Sequence, residues 1–249
     1  MEAHVNIESI WDQPISSFPL IKKVLSITKK KNEAKPLQTP AVIKELCDGV
    51  LLDGKKIKSL IFSTDMALIE NNDADAVLAV YPFTPSPKIM KSLIDFSEKP
   101  VICGVGGGLT QGKVALEMAI AAEDLGAKAI IVNQPFKNKH IELIKKRISI
   151  PIISSVSVSG ISFSDRVNAG VDIFHVTAGQ KTPELIDYIS YAAPGYPVMA
   201  TGGKTLESIT SSIHSGADAI VVTPPSSSEL FRSIMDQYRR GISKLKKQF

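Results

Sequence analysis

Four segments of this chain leave an amphipathic stretch and enter an apolar one with nearly the same phrase. They are residues 73–80 (DADAVLAV), 126–132 (GAKAIIV), 170–176 (GVDIFHV) and 216–222 (GADAIVV). Three more apolar runs start at Pro100, Pro151 and Pro197, and residues 58–65 (KSLIFSTD) come before them all, which makes eight. Short runs rich in Val and Ile, separated by amphipathic segments of helical length, are the pattern of parallel strands covered on both faces. A glycine just before such a run suits a left-handed helix cap, and a proline suits a strand's first residue, where no ladder donor is missed. Eight βα units in sequence predict a closed (β/α)8 TIM barrel with an N-terminal helical extension, because closure removes two exposed sheet edges. An open doubly wound sheet is the rival arrangement.

The 249 residues suit one such domain, with 1–57 as a helical arm of the same domain and 58–249 as the barrel. Hydrophobic residues make up 44%, yet no apolar run approaches the roughly 18 residues of a membrane helix, and the N-terminus lacks a signal-peptide core. The expectation is a soluble cytoplasmic protein. Cys47 and Cys103 fall in different elements without metal-ligand spacing, which predicts reduced thiols and neither a disulfide framework nor a zinc site.

Within the arm, Phe18, Ile21, Val24, Leu25 and Ile27 recur among lysines over residues 18–31, as on an amphipathic helix, and Thr39-Pro40 can open a second helix. Such a stripe must be buried, against the barrel's bottom or in a homo-oligomer formed through the arm. Ten lysines from Lys22 to Lys58 face only Glu33, Glu45, Asp48 and Asp53, a surplus of six charges when the whole chain carries +4. Lys29, Lys30 and Lys31 have no interleaved aromatics, so a solvated helix end is favoured over a nucleic-acid surface.

In a barrel of this kind ligands bind over the C-terminal strand ends. The residues there include Ser63 to Asp65, Tyr81, Cys103, Asn133, Gln134, Ser155, Ser157, His175, Thr177, Thr201 to Lys204 and Thr223 to Ser227: many small polar groups and little charge. The strongest local signal is residues 200–205 (ATGGKT), where adjacent glycines can present consecutive N–H groups at a helix start. After the eighth run, Ser226 and Glu229 have capping-box spacing.

With these two loops the chain resembles the phosphate-binding barrel superfamily of tryptophan synthase alpha subunits, thiazole synthases, keto-gulonate-phosphate decarboxylases and aminosugar-phosphate epimerases. The resemblance covers about residues 58 to 240 and rests on Thr201-Gly202-Gly203 and on residues 216–222. It implies a small phosphorylated substrate, or inorganic phosphate, held by Gly202, Gly203 and Ser226, with Lys204 and Ser227 beside them. Pro224 and Pro225 depart from the superfamily's glycine-small pattern, and neither offers an N–H. The alternative reading is a tight strand-to-helix turn at Gly202-Gly203 and a simple cap at Ser226. A second glycine cluster, 104–108 (GVGGG), has no acidic partner for a ribose near Asn133; it is read as a flap, a close approach to substrate or a plain turn.

Two strand-end residues can move protons, Asp65 and His175, while Asn133 and Ser155 can hydrogen-bond a substrate's hydroxyl or carbonyl groups. Asp65 serves equally as a helix N-cap, and a buried His175 as a hydrogen-bonded core residue. No lysine lies in the C-terminal half of a strand for Schiff-base chemistry, two titratable groups are too few for a metal, and no cofactor is indicated. The chemistry expected is isomerase, epimerase or lyase, with hydrolase also open. The contrasting expectation is a non-catalytic sugar-phosphate sensor whose basic arm engages a partner.

Overall fold

The computed structural model describes residues 37–240. Helix α1 (Ala41–Leu46) follows Pro40 and leads into an antiparallel hairpin of β1 (Val50–Leu52) and β2 (Lys55–Ile57). The repeat then runs β3 (Ser59–Phe62), α2 (Met66–Glu70), β4 (Ala76–Ala79), α3 (Pro87–Phe96), β5 (Val101–Gly106) and α4 (Gly112–Asp124). It continues through β6 (Ala129–Asn133), α5 (Asn138–Lys145), β7 (Ile152–Val156), α6 (Phe163–Asn168) and β8 (Ile173–Val176). It ends with α7 (Thr182–Ala192), β9 (Val198–Thr201), α8 (Leu206–His214), β10 (Ala219–Val222) and α9 (Ser227–Arg239). Strands β3 to β10 pair in parallel, and β10 returns to β3, so the sheet closes into an eight-stranded barrel. Each of the eight sequence runs supplies one strand.

The repeated punctuation has a local cause. Gly126, Gly170 and Gly216 hold φ near +100°, the left-handed turn that ends a helix. Asp172 and Asp218, two residues beyond Gly170 and Gly216, and Asp75 at the same place in its own repeat, each reach sideways to the neighbouring strand. Asp75 Oδ2 accepts from the amides of Lys58 and Ser59, Asp172 Oδ2 from Ile152 N at 2.8 Å, and Asp218 Oδ2 from Val198 N at 2.8 Å. The prolines give only their carbonyls: Pro100, Pro151 and Pro197 accept from Val77, Ile130 and Phe174.

Two apolar layers result. One fills the space between strands and helices and includes Phe136, Phe163 and Phe174. The other fills the barrel interior and joins Leu60, Leu78, Ile102 and Met199 to Val50, Leu52 and Ile57 of the hairpin. The hairpin therefore plugs the N-terminal end, with Gly49 N bonded to Asp218 O and Lys128 paired to Asp53 at 3.0 Å. A wholly helical arm is thus corrected at residues 50–57, which form strands around an Asp53-Gly54 turn. The expected helix over 18–31, with the oligomer expected through it, lies outside the described residues. Helix α1 packs beside α8 on the outer wall, with Ile43 fully buried. No helix among the described residues is long and apolar enough to cross a membrane.

Candidate functional site

With the bottom plugged, the open end of the barrel is the C-terminal mouth. Strand alternation places Ile131, Ile153, Ile173 and Met199 on the inward face, and two residues further along the same face comes a polar tier: Asn133, Ser155, His175 and Thr201. His175 is 6% exposed. Its Nδ1 lies 3.2 Å from Ser155 Oγ and its Nε2 3.1 Å from Thr201 Oγ1, so one imidazole bridges β7, β8 and β9. Burial pushes its pKa down to about 4, and the ring is neutral at neutral pH. Ser155 is buried, Thr201 half-buried and Asn133 exposed.

Asp65 occupies the N-cap of α2. Its Oδ1 accepts from Ala67 N at 2.9 Å and Leu68 N at 3.4 Å, while Oδ2 accepts from Ser227 Oγ. The Ser227 bond, helped by those two amides, holds the carboxyl below the usual carboxylate range. The expectation that Asp65 and His175 exchange protons directly with a substrate therefore meets a capping carboxylate and an imidazole with both nitrogens engaged. Cys103 faces the outer layer, and burial pushes its thiol up to about 12.

The loop after β9 uses its glycines in a particular way. Gly202 N donates to Val221 O and Gly202 O accepts from Ser208 Oγ at 2.8 Å; a Cβ there would stand 2.7 Å from Ile220. Gly203 turns through φ +74°. Thr205 and Ser208 cap α8 reciprocally, as do Ser226 and Glu229 at α9. Glu229 Oε2 accepts from both the amide and the hydroxyl of Ser226 at 2.8 Å. The amides of Gly202 and Ser226, expected to hold phosphate, are thus already bonded, and the start of α9 carries Glu229 and the Asp65–Ser227 contact. Among the described residues, the amides of Gly203 and Lys204 make no hydrogen bond to protein, and the Lys204 ammonium makes none either, although its charge acts on the nearby Glu229 carboxylate. Those donors are left open at the start of α8.

Across the mouth, a cavity of about 190 Å³ opens among the ends of β4, β5 and β6. Its lining combines Val80 to Pro85, the glycine-rich loop up to Thr110, Ile131 and Asn133. The glycines of this loop make room for neighbours: a Cβ on Gly106 would stand 2.5 Å from Phe136, and one on Gly107 3.1 Å from Asn133 Nδ2. Phe83 and Leu109 lie beyond the strand ends, in loops where strand periodicity gives no signal. Gln134 is a strap, with Oε1 accepting from Ser157 N at 2.8 Å and Val158 N at 3.1 Å; buried Arg166 donates to its carbonyl. Among the described residues, no three His, Cys, Asp or Glu side chains converge to hold a metal.

No protein-family model matches the chain, and no curated protein matches its sequence. Solved structures match its fold. A phosphonopyruvate hydrolase complexed with oxalate and Mg²⁺ superposes with TM-score 0.56 at 13% identity, covering 74% of this chain and 82% of its own. Citrate synthase SbnG gives 0.57 at 17% identity, over 74% and 92%. A phosphoenolpyruvate phosphomutase from Streptomyces platensis subsp. rosaceus gives 0.53 at 13%, over 73% and 80%. The likeness is one of fold, an eight-stranded parallel barrel. The three structures named here are not among the particular phosphate-binding groups that the sequence resembles.

Proposed function

We propose that this chain is an enzyme that binds a small phosphorylated or carboxylic metabolite at the barrel's C-terminal mouth and acts on it as an isomerase or lyase. The observation that carries this reading is the Ser155–His175–Thr201 chain on the inward face. A neutral imidazole has one N–H and one bare nitrogen. One hydroxyl therefore accepts from the ring and keeps its own O–H for a substrate oxygen, while the other donates to the ring and offers its lone pairs. That pair of complementary groups suits a substrate carrying adjacent hydroxyl and carbonyl functions. His175 acts as a positioning residue, and Ser155 and Thr201 make the contact. Gly203 and Lys204 supply the donors for the anionic group, and Asn133 adds an amide from the far side. The names of two of the solved neighbours, a phosphonopyruvate hydrolase and a phosphoenolpyruvate phosphomutase, agree with a small acidic substrate. The Mg²⁺ named with the hydrolase does not fit this mouth, where no three His, Cys, Asp or Glu side chains converge among the described residues.

The test is a thermal-shift panel of inorganic phosphate, sugar phosphates and keto acids, followed by turnover assays of whatever stabilises. Lys204→Ala is expected to raise KM with little change in kcat, and His175→Gln to lower kcat by about 10²-fold. A panel without any stabilising anion overturns the proposal. One observation favours a second reading, a sensor that binds without turnover: His175 is pushed down to about 4 and Asp65 is also lowered, so neither is poised near neutral pH. Stabilisation with no turnover across the panel selects it.

A further inference from the structure

The cavity at β4, β5 and β6 differs in chemistry from the rest of the mouth. Its walls are Val80, Phe83, Leu109 and Ile131, with main chain from the glycine-rich loop between them. Its two polar side chains of any length are Tyr81, whose hydroxyl already accepts from Ser86 N at 2.8 Å, and Asn133, whose amide has no protein partner among the described residues. No charged side chain lines it. At its rim, Phe83 is 77% and Leu109 96% exposed, so two large apolar groups stand in water beside an apolar hole. Burying such groups against a ligand is favourable, roughly in proportion to the area removed from water.

Position adds a second constraint. In the ring order, β5 lies four strands from β9, on the opposite side of a barrel of eight. A ligand whose anionic group rests on Gly203 and Lys204 after β9 spans the mouth to reach the cavity, with the Ser155–His175–Thr201 tier lining one side of that span. Asn133 stands at the junction, paired in register with Ser155 and lining the cavity. The volume of about 190 Å³ equals the liquid share of about six waters at roughly 30 Å³ each.

We propose that the substrate has two ends: the anionic group, and an uncharged apolar or aromatic group of about six heavy atoms that fills the β4–β6 cavity. Phe83 and Leu109 are then the specificity-determining side chains, and the Asn133 amide bonds the part that joins the ends. This rests on the reading that the mouth binds an anion, and the probes separate the two. Inorganic phosphate carries only the first end, benzyl alcohol only the second, and 4-phenylbutyl phosphate both, with a chain between them to span the mouth.

Calorimetric titration of each probe into the full chain is compared with Phe83→Ser/Leu109→Ser and with Lys204→Ala. Phe83 and Leu109 are exposed, and Lys204 is exposed as well, so none of these changes touches the core. 4-Phenylbutyl phosphate is expected to bind at least about tenfold tighter than inorganic phosphate. The double variant is expected to erase that advantage and leave inorganic phosphate unchanged. Lys204→Ala is expected to weaken both phosphates and leave benzyl alcohol unchanged. Equal affinities for the two phosphates, or an advantage that survives in the double variant, overturn the cavity's role. Benzyl alcohol binding that the double variant abolishes, with both phosphates inert, supports the cavity and overturns the anion reading instead.

Discussion

His175 carries the polar tier of the mouth and also links stability to pH. Its ring is pushed down to about 4 by burial from an ordinary value of 6.5, so between these limits the unfolded chain binds the extra proton. Stability from the neutral ring is fully present above about pH 6.5 and is lost as pH falls toward 4. A shift of that size corresponds to about 3 kcal/mol at its limit. Urea denaturation at pH 7 and pH 4.5 is predicted to show a drop that His175→Gln largely removes; equal drops in both proteins would contradict the buried neutral ring. The site was legible at this scale where strand periodicity applies, because Ile173 and His175 share a face and so do Met199 and Thr201. It was misleading at the glycines. Gly202 and Gly106 resemble ligand-approach residues in sequence, yet each has its absent Cβ against a side chain, Ile220 in one case and Phe136 in the other. A glycine reports a lack of room without saying what takes it.

Three of the barrel strands, β4, β8 and β10, are tied to the preceding strand at the base by an aspartate as well as by the ladder. Asp75 is the fullest case, with Oδ2 accepting from Lys58 N at 3.0 Å and from the amide and hydroxyl of Ser59 at 2.9 Å. Asp75→Ala is predicted to cost about 1–3 kcal/mol, since it leaves the buried Ser59 hydroxyl and two amides without that acceptor. Chemical denaturation measures it, and a loss below about 0.5 kcal/mol would show these bonds to be replaceable by water. The recurring acidic residue was visible in the sequence, but its partner lies on the preceding strand, and spacing along one strand cannot reveal it. The opposite holds for the hairpin. Residues 50–57 alternate Val50, Leu52 and Ile57 around Asp53-Gly54, whose φ values of +50° and +72° are those of a type I′ turn. That signal is among the strongest for a hairpin, and it was obscured because the preceding residues favour helix.

Taken whole, the described residues form a barrel closed at one end by its own hairpin and open at the other over a polar tier, with donors free at the loop after β9 and an apolar cavity at β4 to β6. Architecture followed from sequence because burial on both faces and Gly/Pro punctuation leave a βα repeat few arrangements. The mouth did not, because which amides remain free depends on capping bonds such as Ser226 to Glu229 that only the folded geometry decides. An amide-resolved NMR titration of the full chain with inorganic phosphate tests the central claim most directly. It is predicted to shift the Gly203 and Lys204 amides most, with smaller changes at Thr201 and His175. Saturable shifts centred on Ser226 to Ser228, or none at the mouth, would contradict it.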